Sequence, residues 1–427
     1  MYKGVTLGSA LLLAGCASAP TSADSIDRVA SEFMRLGVAV SVVDSEMVES
    51  VLAAPEVVAS AKAERLDEQS IIRQLGELSE RAVRIPVPRD QLQEERLRRL
   101  RAYIVSLRTQ LMMKNGLKLP IVEDVRRNFG FEPVFPPLSA FDSTLQSLDR
   151  RLTGSGDVAA KIDALRERSI VPKERVRTVF AAALAECKRR AALHLEFPPG
   201  ESVEVRFSEN PLFPGQNIYV GNGHSIAEIS LAKPAEVDRI LALACHEIYP
   251  GHHLHFATLY HEYFDKRGWS EFAIEPASSP QIPVAEAVAE YGIGLTFPPE
   301  ERVRFEQATL FPLAGITMTN PGEWQAYFEA RSGILGASST VARDYLEGRL
   351  SRESAIEMFR RYRLQSRSAA EQMTAVLDAI GSYGIASDLG WMTIDRAFRG
   401  KTLEERWKLF ARIEHEPMLL ADIERLR

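Results

Sequence analysis

Cysteine and histidine are both scarce in this chain, which has three cysteines and eight histidines among 427 residues. Three cysteines allow one disulfide at most, so a fold held together by a disulfide framework is excluded. Charge of one sign is not in large excess either, because 52 basic and 58 acidic residues give a net charge of -6. No basic tract with interleaved aromatic residues is present, and we therefore expect no nucleic-acid partner.

Long apolar runs are equally rare. Outside the N-terminus no apolar stretch reaches the roughly 18 residues needed to span a bilayer. The one marked run, Val5 to Ala14, follows a single lysine and ends at small residues. This pattern is typical of a secretory signal, which we assign to residues 1–15.

The end of that run, Leu13-Ala14-Gly15-Cys16, resembles a bacterial lipobox. The resemblance implies cleavage before Cys16 and a lipid on its thiol, with no other membrane attachment. Residue 17 is alanine rather than aspartate, which in such lipoproteins implies the outer membrane of the cell envelope, facing the periplasm. Residues 16–25 are then expected to form a flexible tether.

Two cysteines remain besides Cys16, namely Cys187 and Cys245. A disulfide between them is possible by number, but nothing in the sequence indicates one. Cys245 directly precedes His246, and a thiolate at this position could bind a metal. Its place on a predicted helix turns it away from the His246 face, so we expect Cys245 to be a small buried packing residue.

Residues 26–196 show a helical pattern, with apolar residues three and four positions apart. Gln91 to Lys114 is the clearest amphipathic segment. The charge-dense stretches 63–83 and 94–101 are expected to be solvated helix faces.

The pattern changes after residue 200. Three short segments, at 201–207, 217–220 and 226–231, have the alternation or composition of strands. A helix is predicted from Pro234 to His246, and 296–427 is helical again. The predicted fold is mainly α (α+β): one catalytic unit over 26–427, with a small β-sheet beside the active-site helix in 201–295.

Histidine is concentrated at one place, where five of the eight residues fall between His246 and His261. The segment begins His246-Glu247. Imidazole is a preferred ligand of Zn²⁺, and a neighbouring glutamate can accept a proton from water activated by the metal. The cluster therefore predicts a zinc-dependent hydrolase.

The residue four positions after His246 is Pro250, which cannot bind a metal. Proline removes a backbone donor and disfavours helical geometry at the preceding residue, so the helix should kink or end there. Gly251 then allows a turn that other residues resist. Such a turn can bring His252 beside His246, and we favour His252 over the alternative ligand His253.

A zinc site that works on water needs a third protein ligand. Glu286 and Glu290 lie four positions apart on a mostly apolar predicted helix, and therefore on one face. Buried carboxylates must be paired or bound to metal. Glu286 is the predicted ligand, and Glu290 is expected behind it, accepting a hydrogen bond from a ligand imidazole.

The sequence HEIYPGHH at 246–253 resembles the HExxPGHH motif of the DUF885 family, a zincin-like group of bacterial proteins. The segment AEAVAEY at 285–291 is similar to the EGWALY segment of that family and places its glutamate at Glu286. The spacing also resembles the third-ligand helix of gluzincin peptidases. The resemblance, which covers about 210–295, implies a zincin-like metallopeptidase fold. The tryptophan of EGW and a distal Asp-Thr-Gly-x-His segment are absent.

The expected chemistry is hydrolysis of a peptide or another small amide, with Glu247 as the general base. Tyr383, flanked by Gly381 and Gly384, is the preferred oxyanion donor, and Tyr249 and Tyr291 compete with it. The strand at 226–231 is a plausible edge for an extended substrate. Two alternatives stay open at this point: a binding or scaffold lipoprotein with a vestigial site, and a hydrolase of a non-peptide amide.

Overall fold

The computed structural model describes residues 24–210 and 213–426, and most of these residues are helical, which confirms the mainly α class. The predicted signal segment and Cys16 lie outside the described residues. The described α-helices are α1 (Ile26–Val43), α2 (Pro55–Glu64), α3 (Glu68–Arg84), α4 (Gln91–Lys114), α5 (Ile121–Phe129), α6 (Asp142–Arg151), α7 (Val158–Glu167), α8 (Val176–Ala191), α9 (Val237–Glu247), α10 (His252–Leu259), α11 (Ile282–Thr296), α12 (Pro299–Phe305), α13 (Phe311–Ala314), α14 (Pro321–Gly333), α15 (Ala337–Leu346), α16 (Arg352–Arg363), α17 (Arg367–Ile380), α18 (Ala386–Phe398), α19 (Leu403–His415) and α20 (Leu420–Ile423).

Two small sheets accompany the helices. Their strands are β1 (Val48–Val51), β2 (Ser202–Ser208), β3 (Gly215–Gly221), β4 (His224–Ser230) and β5 (Ile274–Pro276). β1 pairs antiparallel with β5, and the other sheet has the order β2-β4-β3. The sequence pattern missed β1 and β5, because each is short and its partner lies more than 200 residues away.

The order of the three-stranded sheet corrects the predicted substrate edge. β4 pairs in parallel with β2 on one side and antiparallel with β3 on the other. Both rows of its backbone groups are therefore used within the sheet, and β4 offers no edge to a peptide. Among the described residues, the outer strands of this sheet are β2 and β3.

The apolar residues form one small and one large core. Helices α1 to α4 enclose the small core, which includes Phe33, Leu75 and Leu100, and Ile274 of β5 closes it. The large core runs from α5 to α20 and contains the buried faces of α8, α9, α11 and α18. Helices α11 and α18 pack so closely that a Cβ at Gly390 would overlap the carbonyl oxygen of Pro283. The predicted site residues lie on or beside the large core.

The charged stretch 94–101 of α4 is not the solvated face that its composition suggests. Arg96 and Arg99 are only 4% and 2% exposed. Arg96 donates two hydrogen bonds to Glu271, over 2.7 and 3.0 Å. Arg99 lies between the rings of Tyr103 and Phe272. Partners distant in sequence thus neutralise and cover these guanidinium groups, as burial of a charge requires.

Cys187 of α8 and Cys245 of α9 form a disulfide, and both residues are fully buried. The expectation that Cys245 serves only as a packing residue was wrong. The bond joins two neighbouring helices through residues 58 positions apart, a distance over which sequence spacing carries no signal. It fixes the chain one residue before His246.

Candidate metal centre

The helix that carries His246 ends where the sequence predicts. α9 finishes at Glu247, and α10 begins at His252 after a turn that contains Pro250. Pro250 has no N–H to donate, and the residue before a proline avoids helical geometry. The helix is therefore interrupted between Glu247 and His252, and the two histidine side chains lie beside each other.

Gly251 is required in this turn because the chain passes very close to the end of α9. A Cβ at this position would lie 1.8 Å from the carbonyl oxygen of His246. Only glycine allows the chain to pass so close to the end of α9.

Three potential ligand atoms converge beside this turn. The Nε2 atoms of His246 and His252 are 3.2 Å apart. The Glu286 carboxylate lies 3.4 Å from His252 Nε2 and 3.8 Å from His246 Nε2. The three side chains are 12–21% exposed. Among the described residues they form the one group of histidine, cysteine and carboxylate side chains with the spacing of a metal site.

The charged groups at this site shift the pKa values of their neighbours. Burial by itself raises the pKa of Glu286, but the hydrogen bond from His252 and the charges of both histidines lower that pKa to about 2. Burial lowers the pKa of His252, yet the hydrogen bond and charge of Glu286 and the charge of Glu247 raise it above its usual value. The carboxylate is therefore ionised, and the site favours a bound positive charge.

Glu290 lies behind His246, one helical turn beyond Glu286 on α11. Its Oε1 is 3.5 Å from His246 Nδ1, and its Oε2 accepts a hydrogen bond from Arg331 of α14 over 3.2 Å. This position agrees with the predicted role of orienting a ligand imidazole. Arg331 was not foreseen, because α14 is distant in sequence from the motif.

Glu247 points towards β3 rather than into the three-residue cluster. Its side chain is nearly buried, and a Cβ at Gly215 would lie 2.8 Å from its Oε1. Its negative charge acts on both His252 and Tyr383. Glu247 thus lies within electrostatic reach of the cluster without belonging to it.

Tyr383 reaches the same site from a 3₁₀ turn at Gly381–Ile385, directly before α18. Ser382 fixes this turn by donating a hydrogen bond to Asp124 over 2.9 Å. Burial raises the pKa of Tyr383, and the negative charges of Glu286 and other carboxylates raise it further. The phenol therefore stays protonated and can donate.

The competing tyrosines have other partners. Tyr249 donates a hydrogen bond to Glu201 over 2.6 Å. The ring of Tyr291 packs edge-on against Phe398, and Arg406 and Asp395 are the charges that act on it. Neither hydroxyl is directed at the cluster, so the structure favours Tyr383 of the three.

His253 points away from the cluster and uses both ring nitrogens elsewhere. Nδ1 lies 2.9 Å from Ser225 Oγ of β4, and Nε2 lies 2.8 Å from Glu201. Glu201 also accepts a hydrogen bond from Lys188. These contacts attach the first turn of α10 to the sheet. They leave His252 as the residue positioned to bind a metal.

His255 of α10 is buried. Its Nε2 lies 2.8 Å from the amide nitrogen of Gln281, and its Nδ1 lies 2.9 Å from Glu414. Burial and nearby positive charges lower the pKa of His255 to about 3, so the ring is neutral. It ties α10 to α19 and to the start of α11.

Two further residues at the site were missed. Ser387 of α18 donates a hydrogen bond that helps to lower the pKa of Glu286. Glu49 of β1 has a pKa raised by loss of surrounding water and lowered in part by the charge of His252. A signal for Ser387 exists, because it follows Tyr383 by four residues. No signal links Glu49 to the motif.

The cluster is compatible with zinc. Tetrahedral ligand atoms at roughly 2.0–2.1 Å from one ion lie about 3.3 Å apart. The two imidazole Nε2 atoms are 3.2 Å apart, Glu286 Oε1 lies 3.4 Å from His252 Nε2, and Glu286 Oε2 lies 3.8 Å from His246 Nε2. One ligand atom from each residue can be chosen so that all three lie within 4.8 Å of one another. Two imidazoles and one carboxylate are also a usual donor set for a catalytic zinc ion with one open position.

No protein-family model matches the chain, and no curated protein matches it. Among solved structures, the chain is similar to the "putative lipoprotein from Colwellia psychrerythraea". The two share 15% sequence identity with a TM-score of 0.51, over 94% of this chain and 74% of that one. At this identity the likeness shows a shared fold and no more.

Proposed function

We propose that this protein is a zinc-dependent hydrolase that cleaves the amide bonds of small peptides. The observation that carries the proposal is the convergence of His246 Nε2, His252 Nε2 and the Glu286 carboxylate within 3.2–3.8 Å of one another. Glu247 lies beside this cluster and can accept a proton, which a metal site without catalysis would not need. The zincin-like assignment of the fold belongs to the same proposal.

Each side chain then has one task. His246, His252 and Glu286 would hold the ion, and Glu290 would orient the His246 ring. Zinc bound by these residues would supply Lewis acidity for water and for a carbonyl group.

Glu247 accepts a proton from the attacking water, whose oxygen forms a bond to the carbonyl carbon. It delivers that proton to the leaving nitrogen as the C–N bond breaks, which gives a carboxylic acid and an amine. Tyr383 donates a hydrogen bond to the oxygen on which negative charge develops.

The strand that supports peptide binding is β3, in place of the predicted β4. Gly215 of β3 touches Glu247, and Tyr219 packs on Tyr260, which follows α10. Asn217 lies between them on the same face of the strand, and its amide nitrogen and oxygen have no partner among the described residues. An extended peptide beside β3 would meet the outer backbone N–H and C=O groups of this strand.

We place the protein in the bacterial cell envelope as a lipoprotein, with the outer membrane inferred from Ala17. The lipobox-like LAGC sequence and the description of the Colwellia protein support this location. The Cys187–Cys245 disulfide agrees with an oxidising compartment. No helix in the described part of the chain is sufficiently long and apolar to span a bilayer.

A Glu247→Gln variant tests the proposal. The substitution keeps the size of the side chain and removes the proton acceptor, so we expect normal zinc content and a fall in peptide hydrolysis of about 10²-fold or more. Hydrolysis is screened with a mixed peptide library and mass spectrometry. Equal activity of variant and wild type on any cleaved peptide would remove Glu247 from the mechanism. A matched control is Glu262→Gln, in the segment after α10, where Glu262 is partly exposed and pairs with Lys266.

A further inference from the structure

One carboxylate holds the chain on both sides of the turn that joins the two candidate histidine ligands. Glu201 lies directly before β2, and its side chain is only 7% exposed. The hydroxyl of Tyr249, which precedes the turn, donates a hydrogen bond to Glu201 Oε2 over 2.6 Å. His253, which follows the turn, has its Nε2 2.8 Å from the same oxygen. Glu201 therefore contacts the two residues that flank the segment 250–252.

The other oxygen of this carboxylate is used as well. Lys188 of α8 donates hydrogen bonds to Glu201 Oε1 over 2.8 Å and to the Tyr249 hydroxyl over 3.0 Å. The ring of Phe197 stacks on the ring of Tyr249, with centroids 5.3 Å apart. Hydrogen bonds that involve ionised groups are shorter and stronger than bonds between neutral groups. Three polar partners therefore fix the direction of the Glu201 side chain.

The contacts of His253 also fix the rotation of α10. The ring is fully buried, and its Nδ1 lies 2.9 Å from Ser225 Oγ of β4 while its Nε2 meets Glu201. Successive side chains on an α-helix point about 100° apart. Because His253 is directed at Glu201, His252 is directed to a different side, where its ring stands at 88° to the ring of His246. In this arrangement the Nε2 atoms of His246 and His252 are 3.2 Å apart.

The two candidate ligands are held in different ways. His246 lies on α9 one residue after Cys245, which the disulfide attaches to Cys187 of α8. A ligand imidazole is usually oriented by a hydrogen bond to its second nitrogen. The second nitrogen of His252, Nδ1, is buried and has no such partner among the described residues. The orientation of His252 must therefore come from its neighbours in the chain, which Glu201 holds.

We propose that Glu201 is a positioning residue of the metal centre, which holds His252 at the distance from His246 that a single zinc ion requires. This inference rests on the proposed function, since it concerns the same zinc site. In this role Glu201 contacts neither the ion nor the substrate, and it acts only through the residues on either side of the turn. It supplies for His252 the orientation that Glu290 supplies for His246.

The affinity of the full chain for zinc, measured by competition with a chelator, tests this role. Glu201→Ala removes both bonds that flank the turn and should weaken zinc binding at least about tenfold. Glu201→Gln should restore the affinity to within about threefold of wild type, because its amide oxygen can still accept hydrogen bonds from Tyr249 and His253. Protein zinc sites bind tightly enough to stay filled after a tenfold loss, so affinity rather than metal content carries the test.

Cobalt(II) supplies a second readout, since its visible absorption depends on how the ligands are arranged around the ion. The spectrum of the cobalt-loaded protein should change in Glu201→Ala and return in Glu201→Gln. A general loss of stability would not alter the spectrum of the protein that stays folded. Glu204→Gln is the matched control, because Glu204 lies on β2 and pairs with Arg206 at the surface.

Zinc affinity and a cobalt spectrum that are unchanged in folded Glu201→Ala, or that change equally in Glu204→Gln, would overturn the inference. If circular dichroism shows Glu201→Ala unfolded, Tyr249→Phe decides, because it removes one flanking bond and keeps the ring. Tyr249→Phe should weaken zinc binding about threefold or more, and an unchanged affinity would overturn the inference.

The same measurements separate this role from the proposed function. Metal binding that depends on Glu201, without cleavage of any peptide, would refute the proposed hydrolase alone. Peptide cleavage that requires Glu247, with a zinc affinity independent of Glu201, would refute the positioning role alone.

Discussion

The Cys187–Cys245 disulfide should contribute measurably to the stability of the helix pair that carries the site. A bond between residues 58 positions apart restricts the unfolded chain, and the chain-entropy relation gives about 4 kcal/mol at 25 °C. Since both cysteines are fully buried, the bond should form during folding and remain protected afterwards. Protein refolded in a reductant should therefore unfold at a lower urea concentration, with a free energy of unfolding reduced by 2–5 kcal/mol.

The assay is urea unfolding followed by circular dichroism, on wild type and on Cys187→Ala, Cys245→Ala, each refolded with and without the reductant. The reductant should lower the stability of the wild type and leave the double variant unchanged, which separates the disulfide from the loss of two buried sulfur atoms. Mass spectrometry after alkylation confirms the thiol state. A reduced wild type within about 1 kcal/mol of the oxidised form would refute the reasoning.

Two further changes test the turn and its anchor. Gly251→Ala places a methyl group 1.8 Å from the His246 carbonyl oxygen, and we expect it to weaken zinc binding at least about tenfold. The control is Gly294→Ala, whose methyl group would meet no atom within 4 Å and should leave zinc binding unchanged. Glu201 has a pKa of about 2 in the folded protein, because hydrogen bonds from His253 and other groups outweigh its burial. Its stabilisation is present above pH 4.5 and lost as the pH falls towards 2, so wild type should lose about 3 kcal/mol more than Glu201→Gln over this range in urea unfolding. If wild type and Glu201→Gln lose the same free energy of unfolding, the lowered pKa of Glu201 is contradicted.

The site residues that one turn and one helix bring together could be predicted from the sequence, because their placement depends only on neighbours in the chain. Proline at position 250 ends a helix whatever surrounds it, and two glutamates four residues apart must share a helix face. These two rules place His246, His252, Glu286 and Glu290 together, as the structure finds them. The choice of His252 over His253 followed from the same turn.

The remaining parts depend on contacts between distant segments. Glu49 reaches the site from β1, and Arg331 reaches it from α14. The buried position of His255 depends on Glu414, which is 159 residues away. The central position of β4 depends on a parallel pairing with β2. No periodicity in one sequence encodes such partners, so the predicted edge role of 226–231 was wrong.

Metal content tests the central claim most directly. Plasma mass spectrometry of the purified protein, beside His246→Ala and His252→Ala, should give about one zinc per chain in the wild type and little in either variant. His253→Ala serves as the comparison, since His253 bonds to Ser225 and Glu201 and should retain zinc if the variant folds. Wild-type protein that remains free of metal after reconstitution with zinc, while circular dichroism shows it folded, would contradict the account.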